Sequence, residues 1–144
     1  MRCGFSGSRR LRSAPFLPGL LASLPEAAEK GVGDAEGFDA LVRALCPEAL
    51  EFRPRFAGRG AFAARSAELV RWVAEGGEGS CFFVAVDREC PVGVRPSRSF
   101  AGKGSGSWGS AAYARGRGLR VFVFWCGEGS APAFPAWVES GVFL

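Results

Sequence analysis

Read for the spacing of its apolar positions, the chain alternates between short strand-like runs and helical stripes. Residues 2–5 form a short apolar strand candidate leading into Ser6-Gly7-Ser8-Arg9, whose small residues suit a tight turn. Over 14–28, Phe16, Leu17, Leu20, Leu21 and Leu24 recur at helical spacing, with Ser13 as a cap and Pro15 tolerable in the first turn. Residues 29–32 read as a second strand, the weakest of the set, and Gly33-Asp34-Ala35-Glu36-Gly37 as a glycine-bounded turn. A short helix over 38–46 carries Leu41, Val42 and Leu45 on one face and is ended by Pro47.

A third strand is predicted over 50–53, then the clearest helix, 59–75, with Phe62, Leu69, Val70 and Val73 as its apolar stripe. Spacing alone makes Arg65, inside that helix, a solvated charge. The run CFFVAV at 81–86 is continuously apolar and bounded by turn residues, the pattern of a central strand covered on both faces. Residues 87–107 form a long loop rich in Pro, Gly, Ser and Arg, and loops of that length are often functional. A helix over about 107–115 and a buried strand over 119–125 follow, and 127–144, with Pro132 and Pro135, reads as a tail or edge element. Five rounds of strand and helix argue for an α/β domain over 1–126: about five mainly parallel strands with helices on both faces. In such sheets ligands bind at the carboxyl ends of the strands, where the glycine-rich turns after the first, second and fourth strands would converge.

Composition narrows the chemistry. A chain of 144 residues, 48% hydrophobic, can bury a core in one domain without metals or staples. No apolar run approaches the roughly 20 residues that cross a bilayer, so no membrane partner is expected. The stretch after Arg9-Arg10 resembles an export signal only loosely, because Arg12, Pro15, Pro18 and Pro25 interrupt it. With no histidine, imidazole acid–base catalysis and Ser-His or Cys-His pairs drop out. Cys3, Cys46, Cys81, Cys90 and Cys126 are scattered, without a C-x-x-C, and read as reduced thiols of a cytoplasmic protein rather than as metal ligands. The net charge of +4 is small, but it is segregated: seven acids and two bases lie between Glu26 and Glu51, seven bases and two acids between Asp87 and Arg120. A phosphate-bearing ligand would prefer the second region.

Three turns carry candidate chemistry. At Gly7-Ser8-Arg9, amides between a strand and a helix could receive phosphate, with Arg9 adding a fork of donors. In Gly102-Lys103-Gly104-Ser105-Gly106-Ser107, three glycines, two hydroxyls and a lysine precede a helix, an anion nest that lacks the Lys-Ser/Thr ending of a P-loop. Asp34 and Asp39, around the acidic turn at Gly37, could meet ribose hydroxyls or a base, and helix capping explains them equally well.

The ordered set GFSGSR at 4–9, GDAEGFD at 33–39, ARS at 64–66 and GKGSGS at 102–107 resembles the SLOG superfamily, Rossmann-like domains related to the DNA-processing protein DprA and the LOG nucleotide hydrolases. Within it the chain is most similar to the small YspA-like proteins, and the likeness runs through most of residues 2–126. The resemblance implies a nucleotide or nucleotide-derived ligand held by Gly7, Ser8, Arg9, Gly37, Asp39, Arg65, Gly104, Gly106 and Ser107. Lys103 and Ser105 join them from the anion nest. Departures matter: GDAEGFD lacks the usual small apolar residue before the glycine, and Ser107 replaces the common threonine. Where LOG enzymes carry a glutamate, this chain has Ser110, which removes the expected acid–base group for N-glycoside hydrolysis.

The expected function is therefore a sensor or accessory domain that binds a nucleotide-derived small molecule, with no separate cofactor. Two alternatives stay open. One is LOG-like hydrolysis with Asp34 or Asp39 as the carboxylate; the other is weak DprA-like binding of single-stranded nucleic acid, with Trp108 and Tyr113 stacking bases beside the basic loop. Self-association is left undecided.

Overall fold

The structure, a computed structural model, describes residues 1–101 and 106–141. It is an α/β domain of the Rossmann-like kind: one all-parallel sheet flanked by four helices. The strands are β1 (Arg2–Gly7), β2 (Glu29–Gly33), β3 (Leu50–Phe52), β4 (Cys81–Val86), β5 (Arg120–Trp125) and β6 (Glu139–Ser140), in the order β3-β2-β1-β4-β5-β6. The helices are α1 (Leu17–Ser23), α2 (Phe38–Leu45), α3 (Ala61–Ala74) and α4 (Gly106–Gly116). Where about five strands are expected the sheet has six, because Glu139 and Ser140, in the segment read as a tail or edge element, pair with Phe122 and Val123.

Two apolar layers enclose the sheet. Leu17 and Leu20 of α1 and Phe38 and Val42 of α2 pack with Phe5, Val32 and Phe83 on one face. On the other, Leu69, Val70 and Val73 of α3 and Trp108, Ala111 and Ala112 of α4 pack with Phe82, Val84 and Val121. Every residue of β4 is buried, as its unbroken apolar run predicts.

Three boundaries differ from expectation for local reasons. Helix α1 ends at Ser23 rather than near Ala28, because Pro25 follows Leu24, whose ψ of 149° is already extended. It begins at Leu17, with Pro18 in the first turn, where a missing N–H is tolerated. Strand β1 runs two residues beyond Phe5, since Ser6 and Gly7 continue the ladder to Val84 and Ala85. Within α3 the buried face is Ala61, Arg65, Ser66, Leu69, Val70 and Val73. Phe62, expected in the core stripe, is 53% exposed, and Arg65, expected in solvent, is only 8% exposed. No helix among the described residues is long and apolar enough to cross a membrane.

Candidate functional site

From β1 the chain moves to β2 on one side, and from β4 to β5 on the other. The carboxyl ends of β1 and β4 therefore flank the point where the winding reverses, the place where open parallel sheets leave a crevice. A cleft of about 540 Å³ lies there, within the size range of small-molecule sites. Gly7, Ser8 and Arg9 form one wall, Asp39, Phe62, Arg65 and Ser66 another, and Val86, Asp87, Arg88, Phe100, Gly106 and Ser107 the third.

The turn after β1 differs from the expected anion cradle. No helix follows it directly, since α1 starts only at Leu17, and the Ser8 amide is already used, donating to the Ala85 carbonyl at 3.0 Å. What the turn offers is side chains. The Ser8 hydroxyl oxygen accepts the Arg10 N–H at 3.2 Å and also bonds to the Asp87 carboxylate. Arg9 reaches into the cleft with its guanidinium carbon 4.3 Å from the centroid of Phe62, and among the described residues it has no hydrogen bond or ion pair. Arg10 donates through Nε and Nη2 to both oxygens of Asp87, at 3.0 Å each, tying the ends of β1 and β4 together. Burial alone would raise the Asp87 carboxyl; the bonds from Arg10 and Ser8 and the charges of Arg10 and Arg88 outweigh it and hold it below its ordinary value.

Gly37 does not line the cleft. With φ of 68°, its α-carbon packs so closely on the Ser8–Arg9 backbone that a Cβ would stand 2.4 Å from the Ser8 carbonyl oxygen. It fixes the second turn against the first, and its amide neighbour Phe38 donates to that same Ser8 carbonyl at 3.0 Å. Arg43 clamps the turn from beneath, donating to the carbonyls of Gly33 and Ala35 at 2.8 and 3.0 Å.

Asp39 and Arg65 are brought together under this turn. Asp39 is 3% exposed; its Oδ2 accepts the Ala35 N–H at 3.3 Å, while Oδ1 has no hydrogen-bond partner among the described residues. Arg65 donates from Nη1 to Asp34 at 2.7 Å and from Nη2 to Ser66 at 3.4 Å, leaving its buried Nε without a partner among the described residues. Desolvation pushes the Asp39 carboxyl up to about 6, against the pull of Arg65, the Ala35 amide and Arg43, with Asp34 adding to the rise. A buried carboxyl raised by desolvation beside a cleft, with a specific charge partner, has the pattern of a functional-site candidate.

Of the glycine nest, Gly106 and Ser107 open α4 and line the cleft; Lys103, Gly104 and Ser105 lie outside the described residues. Ser110, at the position of the LOG glutamate, is buried, and its hydroxyl donates to the Gly106 carbonyl at 2.9 Å. Trp108, expected to stack bases, is fully buried. Its rings meet Phe134 and Trp137 edge-on, and its Nε1 donates to the Arg88 carbonyl at 2.8 Å. Tyr113 packs on Phe100 and accepts from Arg71 at 3.3 Å.

Arg10, Asp87 and Phe62 are among the lining residues that sequence reasoning misses, as are Val86, Arg88 and Phe100. Arg10 and Asp87 are 77 positions apart and meet only through the β1–β4 ladder, so no local pattern announces them. Compared with family models, curated proteins and solved structures, the chain has no match in any of the three.

Proposed function

We propose that this domain binds a nucleotide or nucleotide-derived small molecule in the cleft between β1 and β4, as a sensor or accessory module of the kind the SLOG resemblance implies. The observation that carries the reading is Arg9: an arginine in a cleft at the winding reversal, resting on an aromatic ring with no anionic partner among the described residues. A guanidinium so placed can turn to a phosphate without breaking an ion pair, and Ser107 at the opening of α4 faces the same space. Calorimetry with a panel of nucleoside monophosphates, cyclic and linear dinucleotides and ADP-ribose compounds tests it. Binding by at least one member is expected, and Arg9→Ala should weaken it by about 1.5–3 kcal/mol, the range for a charge-assisted bond. No binding to the folded protein across the panel would overturn the reading.

One observation favours a second reading, hydrolysis of a nucleotide N-glycosidic bond. Asp39, with its carboxyl pushed up to about 6, is a general acid of suitable strength beside the cleft, standing in for the carboxylate that Ser110 lacks. Release of free base from nucleoside monophosphates, lost in Asp39→Asn, would support it; binding without release leaves the sensor reading. The single-stranded nucleic-acid reading is weaker now that Trp108 is buried.

A further inference from the structure

Phe62 sits in the first turn of α3, one residue past the start of the helix's buried face, and turns its ring into the cleft with 53% of its surface exposed. A large aromatic side chain left half-exposed in a concave site lies outside the core, whose α3 share is Leu69, Val70 and Val73. Its neighbours are cations: the Arg9 guanidinium at 4.3 Å and that of Arg65 at 5.7 Å from the ring centroid. A second phenylalanine, Phe100, lines the same cleft at 39% exposure, steadied from behind by Tyr113 and by close contact with Gly109.

The two arginines differ in freedom. Arg65 is buried and anchored to Asp34 at 2.7 Å, so it stays. Among the described residues Arg9 is held only by the ring. We propose that Phe62 is the platform for the nucleobase of the ligand: the base takes the place of Arg9 on the ring, and the displaced guanidinium turns to the ligand's phosphate. The inference rests on the nucleotide-binding reading above and adds to it which part of the ligand is recognised and by what. A planar π-system fits because stacking on an exposed ring replaces one cation–π contact with a larger apolar overlap, while the guanidinium gains a charged partner. A sugar phosphate without a base would take the phosphate contact but leave the Phe62 ring open.

The test compares AMP, GMP, CMP and UMP with ribose 5-phosphate by calorimetry, on the wild-type, Phe62→Ala and Phe62→Tyr proteins. Because Phe62 lies outside the core and alanine is a strong helix former, all three should fold, which circular dichroism and thermal melting check. The expected result is that at least one nucleotide binds about tenfold or more tightly than ribose 5-phosphate, that Phe62→Ala brings the ratio of the two affinities down to about one, and that Phe62→Tyr restores it. If ribose 5-phosphate binds as well as all four nucleotides, the base platform is refuted while the phosphate site stands. If a nucleotide is preferred but Phe62→Ala does not diminish the preference, the base lies elsewhere and the assignment of Phe62 fails. If none of the probes binds, the platform falls together with these ligands for the cleft.

Discussion

Replacing Asp39 by asparagine should make this protein more stable near neutrality, and the gain should vanish in acid. The carboxyl is buried and pushed from an ordinary 3.8 up to about 6. Its folded-state value therefore lies above its unfolded one, so the folded state holds the proton more tightly. The resulting destabilisation is fully present above about pH 6 and is relieved as the pH falls to about 4, below which both states are protonated. A rise of roughly two units corresponds to about 3 kcal/mol at 1.36 kcal/mol per unit, an order-of-magnitude figure and a sizeable share of the roughly 5–15 kcal/mol of a typical domain.

An asparagine in the same place keeps an acceptor for the Ala35 amide and has no charge to desolvate. The guanidiniums that face the group keep other partners: Arg65 holds Asp34, and Arg43 holds the Gly33 and Ala35 carbonyls. The measurement is urea denaturation of both proteins at about pH 4 and about pH 7.5. The other carboxylates are common to both, so the change in the stability difference between the two pH values isolates Asp39. It should be of order 2–3 kcal/mol in favour of Asp39→Asn at the higher pH. A difference that is the same at both pH values, or that favours wild type as the pH rises, would refute the assignment of a buried, destabilised carboxylate.

Two further outcomes test the architecture around the cleft. Gly37→Ala should cost about 2–5 kcal/mol in denaturant melts, because the position combines a φ of 68° with a Cβ driven into the Ser8–Arg9 backbone; a loss under about 1 kcal/mol would mean that the two turns are not locked together. Trp108→Ala should cost about 3–5 kcal/mol by the same assay, since the side chain is fully buried against Phe134 and Trp137 and its hydrogen bond to the Arg88 carbonyl is lost with it; near-wild-type stability would return Trp108 to the surface and reopen its use in stacking.

The sheet was legible in the sequence because a strand covered on both faces must be continuously apolar, as in CFFVAV and RVFVFW, and because glycine and proline punctuate the ladder. The site was legible only in part. Local turns and the SLOG resemblance together single out Gly7, Ser8, Arg9, Asp39, Arg65, Gly106 and Ser107, and those seven line one cleft. Motifs, however, do not say which atoms are free: the Ser8 amide is taken by Ala85, and Gly37 serves the turn rather than the cleft. Spacing also failed where polar burial replaces apolar burial. In α3 the inward face continues past Leu69 through Ser66 and Arg65, so a 3.6-residue count made on hydrophobicity assigned Phe62 to the core and Arg65 to water, the reverse of what is found.

That reversal bears on what the domain is for. A chain selected only to fold would gain by exchanging the two roles, placing an apolar residue where Arg65 is buried with its Nε unsatisfied among the described residues and a polar one where Phe62 faces solvent. Asp39, destabilised by its burial beside them, adds to the same imbalance. Local violations of the folding rules that gather in one place, at the winding reversal of a parallel sheet, mark the place where the sequence answers to something other than stability. Here that place holds a cation with no anionic partner among the described residues, a half-exposed ring and a carboxyl pushed up to about 6 within a single cleft, the three features on which the nucleotide-binding proposal rests.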